Sequence, residues 1–170
     1  MRHLVATTLA AFLCGVTMGQ AAEHWQTLEV PEAGFSVSLP DAPKVSEPKS
    51  LIGETSRNYI VEMGESAYLV SYTIYPPERV RSLDARALLD AVRDAAVQDV
   101  GGRLTSERRF NLGAAEAREL VIAGGDGLVY KARLYVQGER IYRTIVDGPP
   151  GFDGSAAATR FLDSFRIEPP

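Results

Sequence analysis

Apolar and polar residues alternate in short runs along most of the chain. Phe35, Val37 and Leu39 alternate with Ser36 and Ser38 before Pro40 ends the run, as in a half-buried strand with its odd positions inward. An earlier strand is expected from near Trp25 to Val30, joined to it by the tight Glu32-Ala33-Gly34 connection. Residues 41–50, with Pro43 and Pro48, read as a loop. Thr55 to Met63 reads as the next strand, turned at Gly64-Glu65. The run Tyr68, Val70, Tyr72 and Ile74 then alternates with Leu69, Ser71 and Thr73 until Pro76-Pro77.

The period changes at residue 82. Leu88, Leu89, Val92, Ala95, Ala96 and Val100 recur at helical spacing, with Arg86, Asp90, Arg93, Asp94 and Gln98 mostly on the opposite side. The pattern predicts one long helix over Ser82–Val100, with Ser82 as N-cap, Asp84 in the first turn and Gly101-Gly102 as the stop. Four strands follow, at about Leu104–Leu112, Glu116–Ile122, Leu128–Val136 and Arg140–Asp147. The turns between them, among them Gly124-Gly125-Asp126-Gly127 and Gln137-Gly138-Glu139, are short enough to imply antiparallel hairpins. A short helix near Ser155–Leu162 and a last strand over Ser164–Ile167 complete the chain. Runs of neighbouring strands with segregated helices predict an α+β domain built on a mostly antiparallel sheet, with one long and one short helix.

The first 22 residues have another pattern. Met1-Arg2-His3 is a short positive start, Leu4 to Met18 an apolar run, and Gly19-Gln20-Ala21-Ala22 a run rich in small residues. This is a secretory leader, cleaved after Ala21 or Ala22, and it makes the protein periplasmic or secreted. The apolar run is shorter than the about 20 residues that cross a membrane, so no stable span is expected after cleavage. Cys14 follows bulky Leu13 inside that run, which does not suit lipidation. Residues 23–170 are then a single domain without cysteine and with one histidine, His24. Its fold must stand on its core alone.

Three stretches carry a resemblance: Gly34-Phe35-Ser36-Val37-Ser38-Leu39-Pro40, Tyr135-Val136-Gln137-Gly138-Glu139-Arg140-Ile141-Tyr142 and Phe161-Leu162-Asp163-Ser164-Phe165-Arg166. Together they resemble small exported bacterial domains with the PsbP-like α/β/α sandwich fold. The resemblance implies that sandwich and an accessory rather than enzymatic role. No photosystem-binding motif is matched, so it implies no functional residue. On packing grounds alone, Phe161 and Phe165 are expected to seat the last helix on the sheet.

Charge and reactive groups narrow the function. The whole chain carries a net charge of −4. Residues 23–100 hold 7 basic against 13 acidic side chains, whereas residues 101–147 hold 8 against 6. An acidic exported protein repels phosphate backbones, so nucleic acid is not an expected partner. With no thiol and only His24 near the new N-terminus, nucleophilic triads lack their parts, and zinc lacks its usual ligands. No catalytic residue, cofactor or metal is therefore assigned. A pair of carboxylates among Glu62, Glu65, Glu116, Glu119 and Asp147 would be needed for glycoside hydrolysis.

What remains is a non-catalytic binding or accessory domain acting through surface contacts with an unknown protein or small ligand. The candidate partner contacts are Asp147, Phe152 and Asp153 in the unusual Asp147–Gly154 loop, with Tyr135 and Arg133 on what reads as the outward face of their strand. The plain reading of that loop, a connection over a buried Phe152, comes first, the partner contact second, and a Ca²⁺ site last, since its spacing does not follow the EF-hand. A small-ligand carrier with a pocket between the long helix and the sheet is the alternative. Mass spectrometry of the exported protein is expected to find a chain beginning at Ala22, or at Glu23 for the second cleavage position. A mature protein that retains Met1 would overturn the leader.

Overall fold

The structure, a computed structural model, describes residues 24–80 and 84–168. The leader, its cleavage site and the Ser82 cap lie outside the described residues. The strands are β1 (Gln26–Val30), β2 (Phe35–Leu39), β3 (Lys44–Ser46), β4 (Thr55–Met63), β5 (Ser66–Ile74), β6 (Arg103–Leu112), β7 (Ala115–Ala123), β8 (Val129–Gln137), β9 (Arg140–Gly148) and β10 (Arg166–Ile167). The helices are α1 (Pro77–Val80), α2 (Ala85–Asp99) and α3 (Ala156–Ser164). Strand β3, inside the expected loop, and the short α1 were not anticipated. The α+β class, the antiparallel sheet, and the long and short helices match the expectation.

Seven strands form an antiparallel sheet in the order β3-β4-β5-β9-β8-β7-β6. Its neighbours from β4 to β6 are joined by hairpins, except where β5 pairs with β9 after the chain has passed through α2 and β6–β8. A second sheet, β1-β2-β10, lies with α3 over one face, and α2 lies over the other. Both faces of the large sheet are thus packed against, and its inner strands β5, β9 and β8 bury residues on both sides.

Aromatic rings fill the side under β2 and α3. Phe35 is central, with its ring centroid 5.6 Å from that of Phe165, 5.8 Å from Tyr142, 6.1 Å from Tyr72 and 6.3 Å from Tyr59. Tyr142 keeps its hydroxyl satisfied in this core by donating to the Ala33 carbonyl at 2.7 Å. That carbonyl is available because the β1–β2 turn closes on Gly34 at φ +66°, in the left-handed region open to glycine. Phe161 and Phe165 are both buried, as expected, although Phe165 lies just past the end of α3. Ser155 caps α3 by accepting from the Ala158 amide at 3.1 Å.

The α2 side is held differently. Leu89 is buried against Leu120, Ile122, Leu134 and Ile141, but the helix is also bound by charge. Arg118 on β7 is 1% exposed. It donates to the Asp90 carboxylate of α2, to Glu107 of β6 at 2.7 Å and to the Arg86 carbonyl at 3.2 Å. Arg93 closes the lattice onto Asp90 at 3.0 Å and Glu107 at 3.3 Å. Asp90 and Arg93, expected on the solvent side of the helix, therefore face β6 and β7. The bond from Arg118 holds the Asp90 carboxyl below its usual pKa.

Removing one member of a buried ion pair leaves the others poorly compensated, at a cost of about 3 kcal/mol. Arg118→Ala is expected to lower the unfolding free energy by about that much in urea titrations, and Arg118→Met by less, because it keeps the volume. A loss below about 0.5 kcal/mol, the scale of an ordinary surface substitution, would show that the lattice does not hold α2.

Candidate functional site

The two ends of α2 are fixed in different ways. Its N-terminal half is tied by the Arg118 lattice. Its C-terminal end stops at Val100, where the Gly102 amide donates back to Val97 at 3.0 Å and the Gly125 amide donates to Val100 at 3.0 Å. The β7–β8 turn thus grips the helix end. A Cβ at Gly125 would stand 2.7 Å from the Gly101 carbonyl, so only glycine permits this approach.

Between these anchorages the helix does not fill the sheet surface. A cavity of about 170 Å³ remains under its C-terminal half, walled by Leu69, Ala96, Val100, Ile122, Ala132 and Ile145. Asp99, Tyr130, Arg143 and Asp147 complete its lining. Arg143 donates through Nε to Ser71 Oγ at 3.1 Å, and burial pulls its pKa down. At the β7–β8 turn the Asp126 carboxylate accepts from the Tyr130 hydroxyl at 2.6 Å and from the Leu128 amide at 3.0 Å. The Tyr130 bond, with the Leu128 amide, holds Asp126 below the usual range. Burial and the hydrogen bond to Asp126 push Tyr130 up to about 12.

The sequence-derived candidates do not converge. Asp147 lines the α2-side cavity, whereas Arg133 is on the opposite face of the sheet. There Arg133 meets Glu119 at 2.7 Å and Asp163 at 2.8 Å. Tyr135, expected outward, is 1% exposed and stacks on Phe165 at 4.7 Å. The face that reads as outward is covered by the second sheet and α3, so a polar-looking side of a strand is still interior. Phe152 is half-buried, its ring packed on Tyr68 and on Gly148, where a Cβ would lie 2.7 Å from the ring. Asp153 is half-buried, and its carbonyl lies 3.4 Å from Lys131 Nζ.

The carboxylates considered for hydrolysis are also dispersed. Glu116 and Glu119 project from opposite faces of β7, and Glu62 pairs with Lys44 at 2.5 Å. Burial works against ionisation of Glu119, but the bond from Arg133 and the charges of Lys131 and Arg108 outweigh it and keep its pKa low. Among the described residues no three His, Cys, Asp or Glu side chains come together so as to hold a metal ion. His24 is exposed.

One feature escaped sequence reasoning. In the connection between β3 and β4, the Glu54 carboxylate accepts from the backbone amides of Leu51 at 3.0 Å and Ile52 at 2.8 Å, and from Ser50 Oγ at 3.1 Å. These bonds, led by the Leu51 amide, lower the Glu54 pKa to about 2. The loop so fixed leaves Leu51 85% and Ile52 44% exposed, and Val45 of β3 is 55% exposed. The signal was the Ser50…Glu54 spacing around an apolar pair within a polar stretch.

No protein-family model matches the chain, and no curated protein does. Among solved structures it is similar to the cyanobacterial PsbP (CyanoP) of Synechocystis sp. PCC 6803, with a TM-score of 0.58 and 14% identity, over 91% of this chain and 98% of that one. It is also similar, at a TM-score of 0.43 and 12% identity, to PA94 of Pseudomonas aeruginosa, a protein of unknown function, over 77% of this chain and 87% of that one. The first likeness shows that the fold is PsbP-like. Among the described residues no helix is long and apolar enough to cross a membrane.

Asp147 provides a test of the cavity's electrostatics. Burial, and then repulsion from Asp126, raises its carboxyl above the usual 3.8. The folded state therefore binds that proton more tightly than the unfolded chain, and ionised Asp147 destabilises the fold at neutral pH. This cost is complete above the folded pKa and vanishes below the unfolded one. Asp147→Asn is expected to raise the melting temperature at pH 7 and to leave it unchanged below about pH 3.8. A lower melting temperature at pH 7 would contradict this.

Proposed function

We propose that this chain is an exported, non-catalytic accessory domain that works by contact with a partner protein, and that the loop between β3 and β4 makes that contact. The observation that carries it is Leu51, 85% exposed at the tip of a loop whose backbone is fixed by Glu54. Large apolar side chains held in water by a preformed backbone fit a partner's pocket with little ordering cost on binding. The PsbP-like fold supports the same reading, because the resemblance implies an accessory role. The leader supports placing it in the periplasm or outside the cell. Asp153, Phe152 and Arg133 are kept as secondary contacts. Tyr135 is not, because it is enclosed. A second reading, that the domain also holds a small ligand, is favoured by the cavity under α2.

A photo-crosslinking residue placed at position 51 of the exported protein is expected to give one discrete adduct. Adding Ile52→Asp, or releasing the loop with Glu54→Gln, should remove that adduct while the melting temperature holds. An adduct pattern no different from that of a crosslinker at exposed Glu65 would sink the proposal.

A further inference from the structure

The cavity has a chemical character that goes beyond its size. Its wall is hydrocarbon from both the sheet and the helix, and one cation reaches it. Arg93, Arg118 and Arg133, each largely withdrawn from water, all meet carboxylates. Among the described residues Arg143 makes no ion pair. Its one hydrogen-bonded partner is the neutral Ser71 hydroxyl, reached through Nε. That bond sets the plane of the guanidinium and leaves its two terminal amino groups uncommitted. A guanidinium partly removed from water with no carboxylate in direct contact is costly, and the planar pair of amino groups matches a carboxylate bidentately.

We propose that the cavity is a binding site for a small apolar monocarboxylate, its carboxylate held by the terminal amino groups of Arg143 and its hydrocarbon by Leu69, Ile122, Ala132 and Ile145. The proposal rests on the ligand-holding reading above and names its chemistry. Size limits the ligand. Drug-sized pockets run to about 300–1,000 Å³, whereas an apolar cavity of about 150 Å³ takes benzene. A space of about 170 Å³ therefore suits a body of one six-membered ring or a comparable branched chain.

Two carboxylates bear on the choice of charge. Asp99 is exposed at the rim, where water screens it. Asp147 lies four residues from Arg143 along β9, about 13 Å at the usual strand rise, at the other end of the space. Burial lowers the Arg143 pKa, and Tyr75 and then Asp99 oppose that only in part.

The full mature protein, titrated with benzoate, benzylamine and benzyl alcohol and followed by amide NMR, tests this. Benzoate is expected to saturate, to shift the amides of Ala96, Val100 and Ile145, and to bind at least tenfold more tightly than the other two. Arg143→Gln, which keeps a donor for Ser71, should lose that tenfold advantage without weakening benzyl alcohol. Ala96→Phe, which fills the space, should abolish all three, with an unchanged dispersed spectrum showing that the fold persists. Equal binding of the three probes, or undiminished benzoate binding by Arg143→Gln, overturns the carboxylate assignment and leaves the ligand-holding reading intact. No saturable binding by any of them overturns both.

Discussion

The large sheet has two apolar faces, and the rest of the molecule covers them. Strands β5, β8 and β9 bury alternate residues on one side and the residues between them on the other, so neither side can be left to water. One cover is the small sheet with α3, and it is dry and aromatic. The other is a single helix. A fifteen-residue helix is about 22 Å long and can shield only part of a seven-stranded surface, which is about 33 Å across at the usual strand spacing.

That mismatch accounts for how α2 is attached. Apolar contact through Leu89 cannot by itself fix a helix that could slide along a broad sheet. The Arg118 lattice gives it a register, since Asp90, Arg93 and the Arg86 carbonyl must all meet partners on β6 and β7. The grip of Gly125 on Val100 fixes the far end. A rigid helix held at two points over a twisted sheet need not touch it everywhere between, and the cavity beside Ile145 occurs where it does not. The site follows from the way the second face is covered.

Alternation made the strands legible: Phe35, Val37 and Leu39, or Tyr68, Val70 and Tyr72, name their buried face directly. Gly101-Gly102 likewise marked the end of α2. What local pattern could not show is what covers a face. Lys131 and Arg133 made their side of β8 look solvated, yet Tyr135 on that side is interior, because β2 and α3 return to cover it from distant parts of the chain. Arg118 was invisible for the same reason, its carboxylates coming from α2 and β6. The Leu51-Ile52 tip was unread because two apolar residues in a polar stretch have no period, and only the bonds to Glu54 show that they are held outward.

Among the carboxylates, one pair needs weighing. Asp126 and Asp147 have pKa values pushed in opposite directions, one lowered and one raised, which is the arrangement of an acid and base in many hydrolytic sites. Here each shift has a local cause. Both oxygens of Asp126 are engaged within its own hairpin, one by the Leu128 amide and the other by the Tyr130 hydroxyl, so it serves to close the turn that also grips α2. Asp147 is raised first by burial beside the same Tyr130, its direct cross-strand neighbour. Each oxygen of Asp126 holds a hydrogen bond within its own hairpin, and Asp126 is not among the residues that line the cavity, so its lowered pKa is accounted for by the turn it closes. Asp147 lines a space in which a molecule can be held, and the uncommitted edge of Arg143 supplies the polar contact that would orient it.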